Sequence, residues 1–249
     1  MLRQARRWSI WASSGLLAAA ALTGCGGPWR AKVDGPFGSG ASQVWVLHAH
    51  GKPKAVVALI HGLTPHTGEQ LIAWQKHLAA EGYDVIFPRY DVPYASANAR
   101  DGVVGGVRRG LTELGSPRIP LVLVGHSRGG RMAVEAAAFL HPRAVVAVFP
   151  GRLNAAYEEP TDLSRIPTDT HIWLLVGDHD TSVGSAGAIE LYQRLTAADV
   201  APLQITGGVI RSTAAYSATH ESVYRTDPAA QKAVWMRVDT ILATALRNS

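Results

Sequence analysis

The sequence contains a single cysteine, Cys25, among its 249 residues. An internal disulfide is therefore excluded, even for a protein that folds in an oxidising compartment. The sequence also lacks a basic cluster interleaved with aromatic residues, so no nucleic-acid partner is expected. What is present is a chain that is 47% hydrophobic, a composition that indicates one globular domain with a full core.

The beginning of the sequence has no acidic residue and no long apolar run. Arg3, Arg6 and Arg7 precede an apolar stretch that ends near Leu22. That stretch is too short and too rich in small residues for a membrane-spanning helix, which needs about 20 apolar residues. Residues 1–24 are therefore predicted to be an export signal. Because these three arginines are counted among 24 basic residues, the remaining chain has 21 basic and 19 acidic residues and is nearly neutral.

The end of this signal, LTGC at residues 22–25, resembles the lipobox of bacterial lipoproteins. The resemblance implies cleavage before Cys25, attachment of a diacylglyceryl group to its sulfur and a lipid anchor in the cell envelope. Gly26 favours the outer membrane if the organism has two membranes. A plain signal peptide with an incidental cysteine is the alternative. Residues 25–42, rich in Gly, Pro and Ser, are predicted to be a flexible tether, and residues 43–249 to be the folded domain.

Apolar runs alternate with helical patterns within this domain. Most runs are uniformly apolar, as buried parallel strands are; they are QVWVLHAH, AVVALIHG, YDVIFPR, PLVLVGHS, AVVAVFP, HIWLLVGD and PLQITGG. Helices are predicted over Glu69–Glu81, over Gly129–Leu140 and after Asp227, a residue type that is favoured at N-caps and that Pro228 follows here. The alternation predicts an α/β domain, a mostly parallel sheet with helices on both faces.

The most informative motif is GHSRGG, which follows a predicted strand and opens a predicted helix. A sharp turn between the two elements would lift the Ser127 side chain above the sheet edge, and Gly125 and Gly129 would have to be small for the backbones to approach. The helix would direct N-terminal N–H groups, including that of Arg128, at the position of an oxyanion. Ser127 is therefore predicted to be a nucleophile.

On this motif and its strand–helix context, the chain resembles the α/β-hydrolase superfamily over nearly all of Gln43–Ser249. The family's chain order of nucleophile, acid and histidine implies that Asp180 is the acid and His220 the base. Asp178 is the alternative acid, but the family's Gly-x-x-Asp spacing favours Asp180 and leaves Asp178 to hydrogen-bond the loop. The loop before His220 is longer than is usual in the family, and a solvent-exposed loop histidine is the alternative there.

The resemblance extends to the loop after the strand AVVALI, where HGLTPH is similar to the family's His-Gly motif. It implies that the N–H of Leu63, one residue past Gly62, is the second oxyanion donor beside that of Arg128. His61 is expected to brace this loop and His126 to pack beside the serine, neither with a catalytic role.

Three other features are given no catalytic role. His48 and His50 share one face of a strand, but with no third ligand at a recognisable spacing they favour surface residues over a metal site, and no metal or other cofactor is expected. Tyr90 and Asp91 follow a strand where they could shape the pocket. Arg128 and Arg131 suggest an acidic substrate, or else an arginine that is solvated or paired with Glu135.

The resemblance implies a serine hydrolase of the carboxylesterase type that acts through an acyl-enzyme on Ser127. The family often carries a lid between two of its strands, and here that interval, Gly151 to Thr170, has only 20 residues. An open site for small or exposed esters is therefore expected. An acyltransferase or peptidase with the same triad, or a lipid-anchored binding protein without turnover, are the alternatives; no oligomeric state is predicted.

Overall fold

The computed structural model describes residues 30–63, 71–91, 97–156, 158–197 and 203–247. The predicted export signal, residues 1–24, and the predicted lipidation site, Cys25, lie outside the described residues. None of the helices in these ranges is long and apolar enough to cross a bilayer.

One eight-stranded sheet forms the centre of the molecule, in the order β1-β2-β4-β3-β5-β6-β7-β8. The strands β1 and β2 are antiparallel to their neighbours, and β3 to β8 are parallel. The strands are β1 (Val33–Phe37), β2 (Gln43–Leu47), β3 (Val56–Ile60), β4 (Asp84–Arg89), β5 (Leu121–His126), β6 (Ala144–Val148), β7 (His171–Gly177) and β8 (Gln204–Ile210).

Helices cover both faces of this sheet. They are α1 (Ile72–Ala80), α2 (Ala99–Glu113), α3 (Arg128–Leu140), α4 (Ala186–Ala197), α5 (Pro228–Ala230) and α6 (Met236–Arg247), with a π-helical turn, Gln231–Trp235, between the last two. Buried residues of α1 and α6 pack on one face, and those of α2, α3 and α4 on the other. The predicted mostly parallel sheet with helices on both faces is thus confirmed.

The strands β3, β5 and β6 lie at the middle of the sheet and are almost fully buried. Their uniformly apolar sequences follow from this position, because both faces of each strand are covered by helices. The carboxyl ends of parallel strands meet at one edge of a sheet, so the loops after β3, β5, β6 and β7 converge there.

The helix α2 was not predicted, because its four glycines argue against a helix. Three of them lie four residues apart and face the sheet. A Cβ on Gly102 would lie 2.6 Å from the Tyr90 carbonyl oxygen, one on Gly106 2.7 Å from Pro88 Cβ, and one on Gly110 2.5 Å from Ile86 Cγ2. The glycines therefore let α2 lie directly on β4, and tertiary packing outweighs their low helix propensity.

The prediction of a flexible tether up to residue 42 is wrong for its second half. Val33–Phe37 is strand β1, which pairs with β2, and Gly40–Ser42 forms a short 3₁₀ helix. The sequence did not indicate this strand, because Gly35 and Pro36 are residue types that are uncommon inside strands. An edge strand tolerates both residues because only one of its sides must complete a hydrogen-bond ladder.

Candidate active site

Ser127 stands between β5 and α3 in a backbone conformation that L-residues rarely adopt, with φ +56° and ψ −127°. Its backbone is held on both sides. The Ser127 N–H donates to the Val148 carbonyl at 3.0 Å, and the Ser127 carbonyl accepts from the N–H of Gly130 and from that of Gly151, each at 2.9 Å. Strain of this kind persists only where the surroundings enforce it, and it is common at catalytic positions.

The glycines on either side of the serine explain how so sharp a turn is accommodated. A Cβ on Gly125 would lie 2.1 Å from the carbonyl oxygen of Gly129, and one on Gly129 would lie 2.0 Å from that of His61. Real Cβ atoms essentially never approach other atoms so closely. The first turn of α3 therefore rests directly on the ends of β5 and β3, which points the Ser127 side chain away from the sheet.

His220 meets this serine from 93 residues further along the chain. Its Nε2 lies 2.8 Å from Ser127 Oγ, and the residue is 9% exposed. It begins a short 3₁₀ helix, His220–Tyr224, after the long loop that follows β8. The alternative of a solvent-exposed loop histidine does not describe this placement.

Asp180 lies behind the histidine ring, with its Oδ2 2.8 Å from His220 Nδ1. Its other oxygen, Oδ1, accepts the N–H groups of Ser182 at 2.9 Å and Val183 at 3.0 Å. Asp178 instead bonds to Ser212 and to the adjacent histidine. The structure thus brings Asp180, and not Asp178, to His220: one carboxylate oxygen contacts the ring, and the other is held by two backbone N–H groups.

The loop after β3 lies against the serine. A Cβ on Gly62 would lie only 3.2 Å from Ser127 Cβ, so Leu63 follows at the edge of the site, half-buried. His61 stacks on Tyr90 with ring centroids 4.3 Å apart, and Tyr90 Oη donates to the His61 carbonyl at 2.7 Å. Burial is the main reason that the pKa of Tyr90 is well above its usual range, so the phenol remains a donor.

His126 packs against His220. Its Nε2 lies 3.0 Å from the carbonyl oxygen of His220, and the two rings are 4.7 Å apart. Phe149 and Tyr224 pack edge-on against the His126 ring. The expected packing role of His126 therefore includes a direct contact with the backbone of His220.

Arg128 is not solvated: it is 5% exposed and bridges two loops. Its guanidinium donates to Asp91 Oδ1 at 2.6 Å and to Glu158 Oε1 at 2.7 Å. Burial disfavours the charge, but the hydrogen bonds to these two carboxylates outweigh it and raise the pKa of Arg128. Arg131 also donates to Glu158 and, as one sequence interpretation expected, pairs with Glu135 at 3.2 Å.

The charges of this buried network are balanced within the protein. Glu135 also accepts from Arg194 at 3.1 Å, which completes three arginines and three carboxylates. Sequence inspection missed Glu158, because it lies in a loop without periodicity and its partners are 27 and 30 residues away. Within the described ranges, no group of three or more His, Cys, Asp or Glu side chains is arranged to hold a metal ion.

A scan against protein-family models gave no match, and a search of curated proteins gave none either. Solved structures do resemble the chain. Esterase B from Lactobacillus rhamnosis matches with a TM-score of 0.64 and 15% identity, covering 88% of this chain and 87% of that one. MGS-M1, an α/β-hydrolase enzyme from a Medee basin deep-sea metagenome library, matches with a TM-score of 0.60 and 14% identity, covering 88% and 99%.

The chain has the α/β-hydrolase fold. A thermostable carboxyl esterase from Bacillus coagulans also matches, with a TM-score of 0.60 and 12% identity over 82% of this chain and 94% of that one. At these identities the α/β-hydrolase fold is what the comparisons establish. The arrangement of Ser127, His220 and Asp180 at the carboxyl edge of the sheet is therefore the ground for any functional assignment.

Proposed function

We propose that this protein is a serine hydrolase of the carboxylesterase type. The observation that carries the proposal is the chain of two 2.8 Å contacts from Ser127 Oγ to His220 Nε2 and from His220 Nδ1 to Asp180 Oδ2. A serine hydroxyl is a weak nucleophile until a base removes its proton, and this geometry provides the base and the group that fixes its tautomer.

In the proposed reaction, Ser127 Oγ attacks the ester carbonyl while His220 Nε2 takes the hydroxyl proton. The oxyanion is stabilised by the N–H groups of Leu63 and Arg128; the latter is the first residue of α3, where the helix dipole favours negative charge. His220 then gives its proton to the leaving alcohol, and an acyl-enzyme on Ser127 remains. Water, activated by the same histidine, releases the acid and restores the hydroxyl.

We propose further that the site is open and takes small or exposed esters. Support comes from the interval between β6 and β7, whose described part contains one short 3₁₀ helix, Leu163–Arg165. Glu158 ties this interval to Arg128 and Arg131, so the interval is fastened beside the turn at Ser127 rather than extended as a separate lid. A long acyl chain would then have little covered apolar surface to occupy.

A fluorophosphonate probe and two model esters test these proposals. We expect the native protein to be labelled, and the Ser127→Ala variant to lose both the labelling and the hydrolysis of p-nitrophenyl acetate. No labelling of the native protein would instead favour a binding protein without turnover. Faster turnover of p-nitrophenyl palmitate than of the acetate would contradict the open site. Product analysis with competing alcohols or amines distinguishes hydrolysis from acyl transfer and peptidase activity.

Lipid anchoring through Cys25 remains a proposal, since it rests on the resemblance of LTGC to a lipobox. Mass spectrometry of the protein expressed in a bacterium tests it. Loss of residues 1–24 together with diacylglyceryl modification of Cys25 is the expected result. A Cys25→Ser variant recovered unmodified and uncleaved is the matched control.

A further inference from the structure

The long loop between β8 and His220 is fastened to the end of β7 by one serine. The Ser212 N–H donates to both oxygens of Asp178 at 2.9 Å, and Ser212 Oγ donates to Asp178 Oδ1 at 2.6 Å. The same hydroxyl oxygen accepts the N–H of Ala218 at 2.8 Å. Ser212 thus joins the start of the loop, the end of the loop and the strand that precedes Asp180.

The loop between these contacts is closed as a tight hairpin. Thr213 and Tyr216 exchange backbone hydrogen bonds of 2.7 and 3.2 Å. The Ala218 carbonyl accepts the N–H of His179 at 3.3 Å, and a Cβ on Gly177 would lie 2.3 Å from that carbonyl oxygen. Ala218 is therefore held directly against the end of β7.

Ser212 and its partners Asp178 and Ala218 form a clamp that lies two residues in sequence from Asp180 and two from His220. Asp178 is two residues before Asp180, and Ala218 is two residues before His220. Only one residue therefore separates the clamp from Asp180, and only one separates it from His220. A shift of Ala218 relative to Asp178 would therefore change the 2.8 Å distance between His220 Nδ1 and Asp180 Oδ2.

The cluster of Asp178, His179 and Ser212 is not a second nucleophilic site. Both Asp178 Oδ1 and Ser212 Oγ lie near the same ring nitrogen, His179 Nδ1, at 3.0 and 2.8 Å. Activation of a serine requires the carboxylate and the hydroxyl on opposite nitrogens of the ring. The hydroxyl of Ser212 is instead used to hold the backbone.

We propose that Ser212, held by Asp178, is a positioning residue that sets the distance between His220 and Asp180 and thereby aims His220 Nε2 at Ser127. Its effect on turnover rests on the proposed hydrolase function. A misplacement of about 1 Å at a reacting group can cost about a hundredfold in rate. Ser212→Ala should therefore lower kcat about tenfold to a hundredfold and leave KM nearly unchanged, because no substrate contact is removed.

The test compares Ser212→Ala with Ser212→Thr and with Ser164→Ala in the full chain. Ser164 is a matched control, since its Oγ also donates to a nearby aspartate, Asp162, at 2.6 Å, but in the loop between β6 and β7. We expect Ser212→Thr, which keeps the hydroxyl, to recover most of kcat and Ser164→Ala to keep all of it. Thermal unfolding of each variant shows that it is folded; Asp178→Asn replaces Ser212→Ala if the latter does not fold.

A measurement that does not need turnover separates this proposal from the proposed function. In the native protein, proton NMR should show a downfield Nδ1–H resonance of His220, which Asp180→Asn removes. Ser212→Ala should shift or broaden this resonance, and Ser164→Ala should not. If the native protein neither reacts with the fluorophosphonate nor hydrolyses esters, the hydrolase function fails and the resonance still decides the role of Ser212. An unchanged resonance, or unchanged kcat in an active protein, overturns the proposal.

Discussion

Single glycines determine how closely the loops of the site approach one another. The motif around Ser127 predicted that the residues at two of these positions, Gly125 and Gly129, must be small. A strand that turns sharply into a helix leaves no room there for Cβ atoms. Gly62 is a different case: a Cβ there would be tight but not impossible, 3.2 Å from both Ser127 Cβ and His126 Nδ1. Alanine at position 62 would therefore displace the loop that carries Leu63 only slightly, which allows the role of this loop in turnover to be tested.

Gly62→Ala should preserve the fold and impair turnover. Overpacking by one methyl group costs about 1–3 kcal/mol and would move the loop by a few tenths of an ångström. We expect kcat to fall about tenfold, because removal of a whole oxyanion donor costs about 10²–10³. Gly105→Ala is the control: its Cβ would meet nothing within 4 Å, on the exposed side of α2, and should leave kcat unchanged. Equal kcat in both variants would contradict an oxyanion role for this loop.

The two aspartates after β7 should differ sharply in their effect on kcat. Asp180→Asn leaves an amide behind the His220 ring and favours the wrong tautomer, for which a loss of about 10⁴-fold is expected. Asp178→Asn only weakens the clamp on Ser212 and should cost at most about a hundredfold. Steady-state kinetics with p-nitrophenyl acetate measures both. A larger loss for Asp178→Asn than for Asp180→Asn would mean that the acid has been assigned to the wrong aspartate.

Contacts between elements were harder to predict from the sequence than the elements themselves. The apolar periodicity identified the central strands and α3, because burial on a sheet imposes that pattern. It gave no sign of α2, whose glycine face serves packing against β4. The apolar periodicity also gave no sign of the ion pair between Arg128 and Glu158, because charged residues in loops follow no periodic pattern.

The buried pairs of Glu158 should make a large contribution to stability. Glu158→Gln leaves Arg128 and Arg131 without one of their carboxylates, and breaking a buried pair in this way costs about 3–5 kcal/mol. The exposed neighbour Glu159 is the control, and Glu159→Gln should change the free energy of unfolding by less than about 0.5 kcal/mol. Urea unfolding at pH 7 measures both. A small change for Glu158→Gln would show that the network does not stabilise the turn at Ser127.

The contact between α1 and α6 should make stability depend on pH near neutrality. His77 Nε2 lies 2.8 Å from Asp239 Oδ2, and this hydrogen bond is the main cause of the raised pKa of His77. A raised pKa stabilises the folded state fully below the unfolded value of about 6.5, and that contribution is lost as the pH rises through the folded value. Asp239→Asn removes the carboxylate and with it the pH-dependent contribution.

Native protein and Asp239→Asn should therefore differ more in free energy of unfolding at pH 5.5 than at pH 8.5. For a partly exposed pair, we expect the difference to shrink by about 1 kcal/mol across this range. His171→Gln is a control for histidine titration in general, since His171 Nε2 contacts the Thr206 hydroxyl on β8 and not a carboxylate. A difference that is constant or grows with pH would contradict the assigned sign.

Across the whole molecule, parallel strand order explains why the candidate site could be predicted at all. Ser127, Asp180 and His220 are separated by up to 93 residues, yet each follows a strand of the same parallel sheet, and such sheets gather these ends at one edge. The sequence therefore located the three residues through their positions after β5, β7 and β8. The supports that hold them, such as Ser212 and Glu158, depend on loop conformations that strand order does not determine.

The strand order also predicts whether β1 contributes to stability or to catalysis. This strand pairs only with β2 at the edge of the sheet, and three strands, β2, β4 and β3, separate it from β5 and Ser127. Its removal should therefore affect stability and not catalysis. Val33 and Phe37 are only partly buried, so their loss should cost about 1–3 kcal/mol of unfolding free energy, and the bared edge of β2 should promote association between chains.

A chain that begins at residue 39 should thus unfold at a lower temperature than one that begins at residue 30, with the same kcat for p-nitrophenyl acetate at 25 °C. Both chains lack Cys25, so lipid attachment does not enter the comparison. Light scattering should show association only in the shorter chain, because an uncovered strand edge offers unpaired N–H and carbonyl groups. Identical unfolding temperatures would show that residues 33–37 act as a tether after all, despite their pairing with β2. A lower kcat in the shorter chain would mean that a change at this edge of the sheet affects the turn at Ser127 through β2, β4 and β3.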